Sequence, residues 1–208
     1  MQHCRATLDH LAVRAPTLEA GAAFVEAALG VPLAPGGAHP MMGTHNRLLS
    51  LGPDAYLEVI AVDPVAALPD RSRWFGLDAP PAQPEVCAWV VRVPDLTQAL
   101  ADAPAGCGSQ LALSRGDLRW RMAVPDVGPW PWHNLFPAMI AWEGPHHPAV
   151  GLPDHGLRLT GLQLVHPDAD GLRQALDGCI DDPRCEVEFG TAPVIRARFQ
   201  TPEGERWL

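Results

Sequence analysis

Lysine is absent from this chain of 208 residues; all 15 basic residues are arginine. That absence excludes a Schiff-base lysine, a pyridoxal phosphate anchor and a P-loop lysine. Tyrosine occurs once, as Tyr56, so any tyrosine-based acid–base scheme has a single candidate. No serine nucleophile elbow and no glycine-rich phosphate loop occurs. Basic residues are also outnumbered, giving a net charge of -9. A nucleic-acid or anionic-membrane surface needs clustered Lys and Arg, so neither partner is expected. There is no long apolar run and no signal-peptide pattern, and the expected setting is the reducing cytoplasm. The five cysteines (Cys4, Cys87, Cys107, Cys179, Cys185) are odd in number and lack framework or zinc spacing, so they read as ordinary thiols. The lysine deficit itself is what genomic base composition produces, which also raises Ala and Pro.

What is present is a repeat. Three apolar strands run through a proline into a short amphipathic stretch: His10 to Pro16 (HLAVRAP), Ala88 to Pro94 (AWVVRVP) and Gly161 to Pro167 (GLQLVHP). A repeat sets architecture before any single residue is given a role. In register the first position reads His10, Ala88, Gly161, and only the first copy places a metal-binding side chain there.

The first module spans 1–64. Its strand runs Leu8 to Arg14, with Leu11 and Val13 on one face and Leu8, His10 and Ala12 on the other. Thr17 is the expected N-cap of a helix whose face is Leu18, Ala22, Val25 and Leu29, stopped by Gly30 and Pro32. A Gly/Pro-rich stretch with a short strand leads to a hairpin, Thr44–Leu51 and Tyr56–Val62, turning at Gly52-Pro53-Asp54-Ala55. Residues 65–84 read as a linker with one helical turn at Trp74. The second module, 85–145, and the third, 157–208, flank a loop at 146–156. The repeated unit is βαβββ, and the fold class is α+β: cupped mixed sheets with helices outside.

Strand parity brings polar groups together. With Leu51 opposite Tyr56, Leu49 faces Glu58, and His45, Arg47 and Glu58 share one face, away from Leu48, Leu57 and Val59. A histidine, an arginine and a carboxylate on one concave surface suit an anionic or oxygen-rich ligand. Equally, Arg47 could simply neutralise Glu58.

A tandem βαβββ unit with a histidine in its first strand and a glutamate in its last resembles the vicinal oxygen chelate superfamily, and within it the bacterial glyoxalase-like proteins. The resemblance rests on LDHLAV (8–13), HPMMGTHN (39–46), YLEVI (56–60), RWRMAVP (119–125), IAWEG (140–144) and the terminal TPEGERWL (201–208). It implies a cup around a divalent metal (Zn, Ni, Mn or Fe) that chelates two neighbouring substrate oxygens and stabilises an enediolate. His10 and Glu58 match the ligand positions, whereas Ala88, Gly161 and Trp207 or Leu208 depart from them. A complete site then needs His45 or Glu143 as a further ligand. Catalysis would fall to His45 and Glu58.

Each candidate has a plainer alternative. His10 could be a hydrogen-bonded core histidine. Trp130 and Trp132, in a Pro-rich loop with His133, could wall the ligand pocket or merely pack. His146-His147 reads as solvent-exposed, and Cys107 as a weak nucleophile candidate without a neighbouring base. The expected activity is a glyoxalase-like lyase or isomerase acting on a small molecule with vicinal oxygens; the alternative is a non-catalytic binding protein. Three modules leave pairing open: the third completes the barrel and displaces the second, or a module pairs across a homodimer interface.

Overall fold

The computed structural model describes residues 6–208, so Cys4 lies outside it. The first module contains β1 (Thr7–Arg14), α1 (Leu18–Leu29), β2 (Ala34–His39), β3 (Thr44–Ser50) and β4 (Tyr56–Val62). The second contains β5 (Glu85–Arg92), α2 (Leu96–Asp102), β6 (Ser109–Arg115), β7 (Leu118–Val124) and β8 (Ala138–Glu143). The third contains β9 (Arg158–His166), α3 (Ala169–Leu176), β10 (Cys185–Phe189), β11 (Val194–Thr201) and β12 (Gly204–Trp207). The α+β class and the threefold strand–helix–three-strand order are thus present.

Local signals explain the helices. Thr17 caps α1 by accepting from the Ala20 N–H at 3.1 Å, and Gly30 ends it in the left-handed conformation with φ 75°. The buried residues of α1 include Leu18, Ala22, Val25 and Leu29, the face that periodicity predicts. Asp95 and Asp168 cap α2 and α3 in the same way. No helix among the described residues is long and apolar enough to cross a membrane.

The first two modules build one eight-stranded sheet, in the order β2-β3-β4-β1-β5-β8-β7-β6. In each, the first strand lies parallel to the last (β1 with β4, β5 with β8), and β1 and β5 join the halves antiparallel. The sheet curls until its edge strands β2 and β6 meet. One chain therefore forms the cup.

The third module has the same element order but different pairing, β10-β9-β11-β12, with the strand after the helix lying beside the first. It neither completes the barrel nor displaces the second module, which corrects the first of the two pairings the repeat suggests. Instead it packs on the outer side, where Leu162, Leu164, Ala197 and Phe199 share a core with Leu8, Trp89, Val91 and Val25. A second core fills the inner side, around Ala12, Ile60, Ala88, Val90, Met122 and Ile140.

Candidate functional site

The site begins with a β-bulge. The β1–β5 register jumps from Leu8↔Val91 to His10↔Val90, leaving Asp9 unpaired between them. One extra residue shifts strand parity. Leu8 consequently joins the outer core rather than the face of His10, contrary to simple alternation, and Asp9 is fully buried beside His10.

Asp9 collects three N–H donors. Its Oδ1 lies 2.7 Å from His10 Nδ1; its Oδ2 accepts from Trp142 Nε1 at 2.9 Å and lies 3.0 Å from His147 Nε2. The Ala149 N–H donates to His147 Nδ1 at 3.3 Å, so the hydrogen of a neutral His147 sits on Nε2 and points at Asp9. Burial on its own would raise the Asp9 carboxyl, but the hydrogen bonds and charges of His10 and His147 hold it well below the usual carboxylate range. With Asp9 ionised, a neutral His10 carries its hydrogen on Nδ1 and leaves the Nε2 lone pair free.

That lone pair meets Glu58. His10 Nε2 lies 3.9 Å from Glu58 Oε2, and both residues are buried. Asn46 Nδ2 donates to the other oxygen, Glu58 Oε1, at 2.5 Å. Tyr56 stacks on His10 with ring centroids 4.5 Å apart. Burial, aided by the Asp9 and Glu58 charges, raises the Tyr56 phenol well above its ordinary value, so it stays protonated.

Asn46, not His45, reaches Glu58 because the hairpin register differs by one residue from the expected one. Ser50 pairs with Tyr56 and Leu48 with Glu58, around a five-residue loop closed by the Leu51 N–H to Ala55 carbonyl bond at 3.0 Å. A one-residue slip sends every side chain of the strand to the opposite face. His45 and Arg47 therefore share the face of Leu49, which belongs to the outer core, and both are half-buried. The expected grouping of His45, Arg47 and Glu58 is corrected on this point.

His39 and Arg115 complete the polar side. His39 Nε2 lies 4.0 Å from Glu58 Oε1, and its Nδ1 lies 3.2 Å from Thr44 Oγ1. Arg115, the last residue of β6, reaches across the seam: its Nη1 donates to Asn46 Oδ1 at 3.0 Å and lies 3.3 Å from His39 Nε2. Burial pulls His39 down to about 4, opposed by Glu58 and reinforced by Arg115, so it is neutral at pH 7. The remaining wall is apolar: Trp74, Phe75, Trp120, Met122, Ile140 and Trp142 bound a small cavity of about 30 Å³, open to solvent at its mouth. Trp74 and Phe75 come from the expected linker, which folds into the cup.

Other expected candidates lie elsewhere. Trp130 is buried, donates to the Ala123 carbonyl at 3.1 Å and stacks on Phe75, so it packs behind the wall. Trp132 donates to Asp168 Oδ2 at 3.0 Å, tying the second module to α3. Glu143 is exposed and pairs with Arg121 at 3.3 Å. His147, expected in solvent, is the partner of Asp9. Cys107 is buried, and its thiol is pushed up to about 12, against thiolate chemistry. Sequence reading missed Asp9, Asn46, His39, Arg115, Trp120 and Trp142. All but Arg115 lie in segments that carry the resemblance (LDHLAV, HPMMGTHN, RWRMAVP and IAWEG), which marked their neighbourhood without giving them a role.

A divalent cation does not fit this donor set. His10 and Glu58 approach each other, but the matching face of the second module offers Ala88, Ile140 and Trp142. The Arg115 guanidinium occupies the lone pair of His39, the third nitrogen within reach. Among the described residues no three His, Cys, Asp or Glu side chains are grouped to hold a metal ion.

Comparison with known proteins identifies a family and a fold. The glyoxalase-like domain family matches residues 8–180. A hypothetical protein from Staphylococcus aureus superposes with a TM-score of 0.61 at 10% identity, over 91% of this chain and 88% of that one. Methylmalonyl-CoA epimerase from Mycobacterium tuberculosis gives a TM-score of 0.43 at 19% identity, over 67% of this chain and 88% of that one. A hypothetical protein from Bacillus halodurans gives 0.43 at 10% identity, over 68% and 96%. At these identities the Staphylococcus aureus likeness bears on the fold alone. No curated protein matches the sequence.

Proposed function

Because this chain belongs to the glyoxalase-like domain family, within the vicinal oxygen chelate superfamily, we propose that it is a small-molecule isomerase that shifts a proton between neighbouring carbons of a carbonyl substrate. One observation carries the reading. His10 Nε2 and Glu58 Oε2, each oriented by buried partners, stand 3.9 Å apart on one side of the pocket. Reacting atoms approach to about 3–3.5 Å, so two bases bracketing one carbon from opposite faces would need roughly twice that separation. Two acceptors this close serve a transfer on a single face. One takes the proton from the hydroxyl-bearing carbon beside the carbonyl, the hydroxyl proton passes to the carbonyl oxygen, and the carbon-bound proton returns to the former carbonyl carbon. Tyr56, kept protonated, lines the same pocket and donates to the oxygen on which charge develops.

The test is solvent deuterium incorporation followed by NMR. A panel of α-hydroxy aldehydes, α-hydroxy ketones and 2-oxo acids is incubated in D2O with the protein and with Glu58→Gln and His10→Gln. Exchange by the parent, reduced on the order of a hundredfold or more in each variant, is the expected result. Exchange that survives both substitutions would overturn it. The apolar second-module wall favours a second reading, a binding protein without catalysis. In that case ligand affinity persists in Glu58→Gln and no deuterium enters with any substrate.

A further inference from the structure

We propose that the cup is built for a small monocarboxylate, its carboxylate held by Arg115 and its compact apolar body lying against Trp74, Trp120 and Trp142. This rests on the cup being the reactive site and names the substrate class.

Arg115 is placed as a binding group. It reaches into the pocket half-buried, and its two side-chain contacts, Asn46 Oδ1 and His39 Nε2, are both neutral and both made through Nη1. Several other arginines sit on acids, among them Arg14 on Glu85, Arg73 on Asp78, Arg158 on Asp154 and Arg184 on Asp182. Arg115 has no carboxylate within 4.0 Å among the described residues, and the rest of its fork, Nη2 and Nε, is uncommitted. A guanidinium presents a planar pair of donors that matches a carboxylate edge.

Asn46 keeps that charge available. It is 3% exposed and stands between the two ions, its oxygen accepting from Arg115 and its nitrogen donating to Glu58. The arginine is thereby oriented without being neutralised. The backbone is cleared for it: a Cβ at Gly37 would lie 2.7 Å from Arg115 Cδ, and one at Gly36 would collide with Asn46. These glycines sit where β2 meets β6, and they let the side chain cross the seam.

Charge and size narrow the ligand. Arg115 is the one guanidinium among the described residues lining the cup, and it shares the cup with the Glu58 carboxylate, so a dianionic phosphate would be under-compensated. A singly charged carboxylate is matched. The cavity itself is only about 30 Å³, so what fits against the indole walls is a short apolar body of a few carbons, the remainder lying at the open mouth.

Propionate and its neutral isostere propionamide are the probes, with binding read by calorimetry and by indole fluorescence. The parent should bind the acid about tenfold more tightly than the amide, or better. Arg115→Gln should erase that preference. Arg115→Lys, which keeps the charge and loses the fork, should retain part of it and guards against a folding defect in the first variant. Equal affinity for acid and amide, no binding of either at about 10 mM, or a preference that survives Arg115→Gln would overturn the assignment. The readout is independent of proton transfer. Acid-over-amide preference in the parent without deuterium exchange removes only the isomerase reading. Exchange confined to neutral substrates removes only this one.

Discussion

Asp9 is the residue on which the geometry of His10 depends. Three N–H groups from β1, β8 and the loop after β8 converge on two oxygens with no access to water. Replacing Asp9 with Asn keeps the shape and turns one acceptor into a donor, so either an N–H faces another N–H or His10 shifts its hydrogen to Nε2 and accepts through Nδ1. Leaving such a donor buried and unpaired costs on the order of 2–3 kcal/mol. The melting temperature should fall accordingly. Proton transfer should fall further than folding, because His10 is freed to carry its hydrogen on Nε2. Chemical denaturation of Asp9→Asn beside its deuterium-exchange rate checks both; an unchanged rate in the folded variant would remove Asp9 from the positioning of His10.

His39 sets an acid limit. Burial, which disfavours the imidazolium, pulls its pKa from the ordinary histidine value of 6.5 down to about 4 in the folded protein. Between those values the unfolded chain binds a proton that the folded state excludes. Stability therefore rises with pH across this window and is lost as pH falls from about 6.5 toward 4, at up to roughly 1.4 kcal/mol per pH unit. The low Asp9 carboxyl acts in the same direction at lower pH, since its contribution is complete above the ordinary carboxylate value of 3.8. Thermal melts at pH 7 and pH 4.5 should separate clearly, and His39→Gln should narrow the gap. A gap of undiminished size would show that other groups carry it.

At the scale of elements, the β2–β3–β4 hairpins decide which side chains meet. Gly36 has no room for a Cβ beside Asn46, so Gly36→Ala should part β2 from β3 and displace Asn46. Loss of about 2 kcal/mol or more by denaturant titration is expected, with carboxylate binding falling more than stability does. Strong local signals made much of this architecture legible. The capped α1 and the apolar strands β1, β4 and β5 follow from periodicity, and the positions of His10 and Glu58 from resemblance. The register of β3 was not legible, since a Gly-Pro-Asp turn admits loops of four or five residues equally well, and that single residue exchanges His45 for Asn46. Nor was the bulge at Asp9, which leaves no mark in an apolar run. Strand β6, SQLALSR, lacks the β-branched residues that announce a strand, so Arg115 went unseen at its end.

For the whole molecule, the third sheet decides whether the cup stands alone. Its pairing differs from that of the other modules, yet Phe199 and Leu164 are fully buried in the same core as Trp89, Val91 and Leu11. Trp132 and His133 reach from the second module to Asp168 and His166, joining the two sheets by side chains as well as by apolar contact. A continuous core makes separate unfolding unfavourable, because either sheet melting first would expose the apolar back of the other. Phe199→Ala should therefore cost on the order of 3–5 kcal/mol, felt by the entire chain. Indole fluorescence, which samples the wall of the cup through Trp74, Trp120 and Trp142, should lose its native signal at the same denaturant concentration as far-UV circular dichroism, in the parent and in the variant alike. Two resolved transitions, with the indole signal keeping the parent midpoint in Phe199→Ala, would show instead that the eight-stranded cup folds independently and that the third sheet is an appended layer.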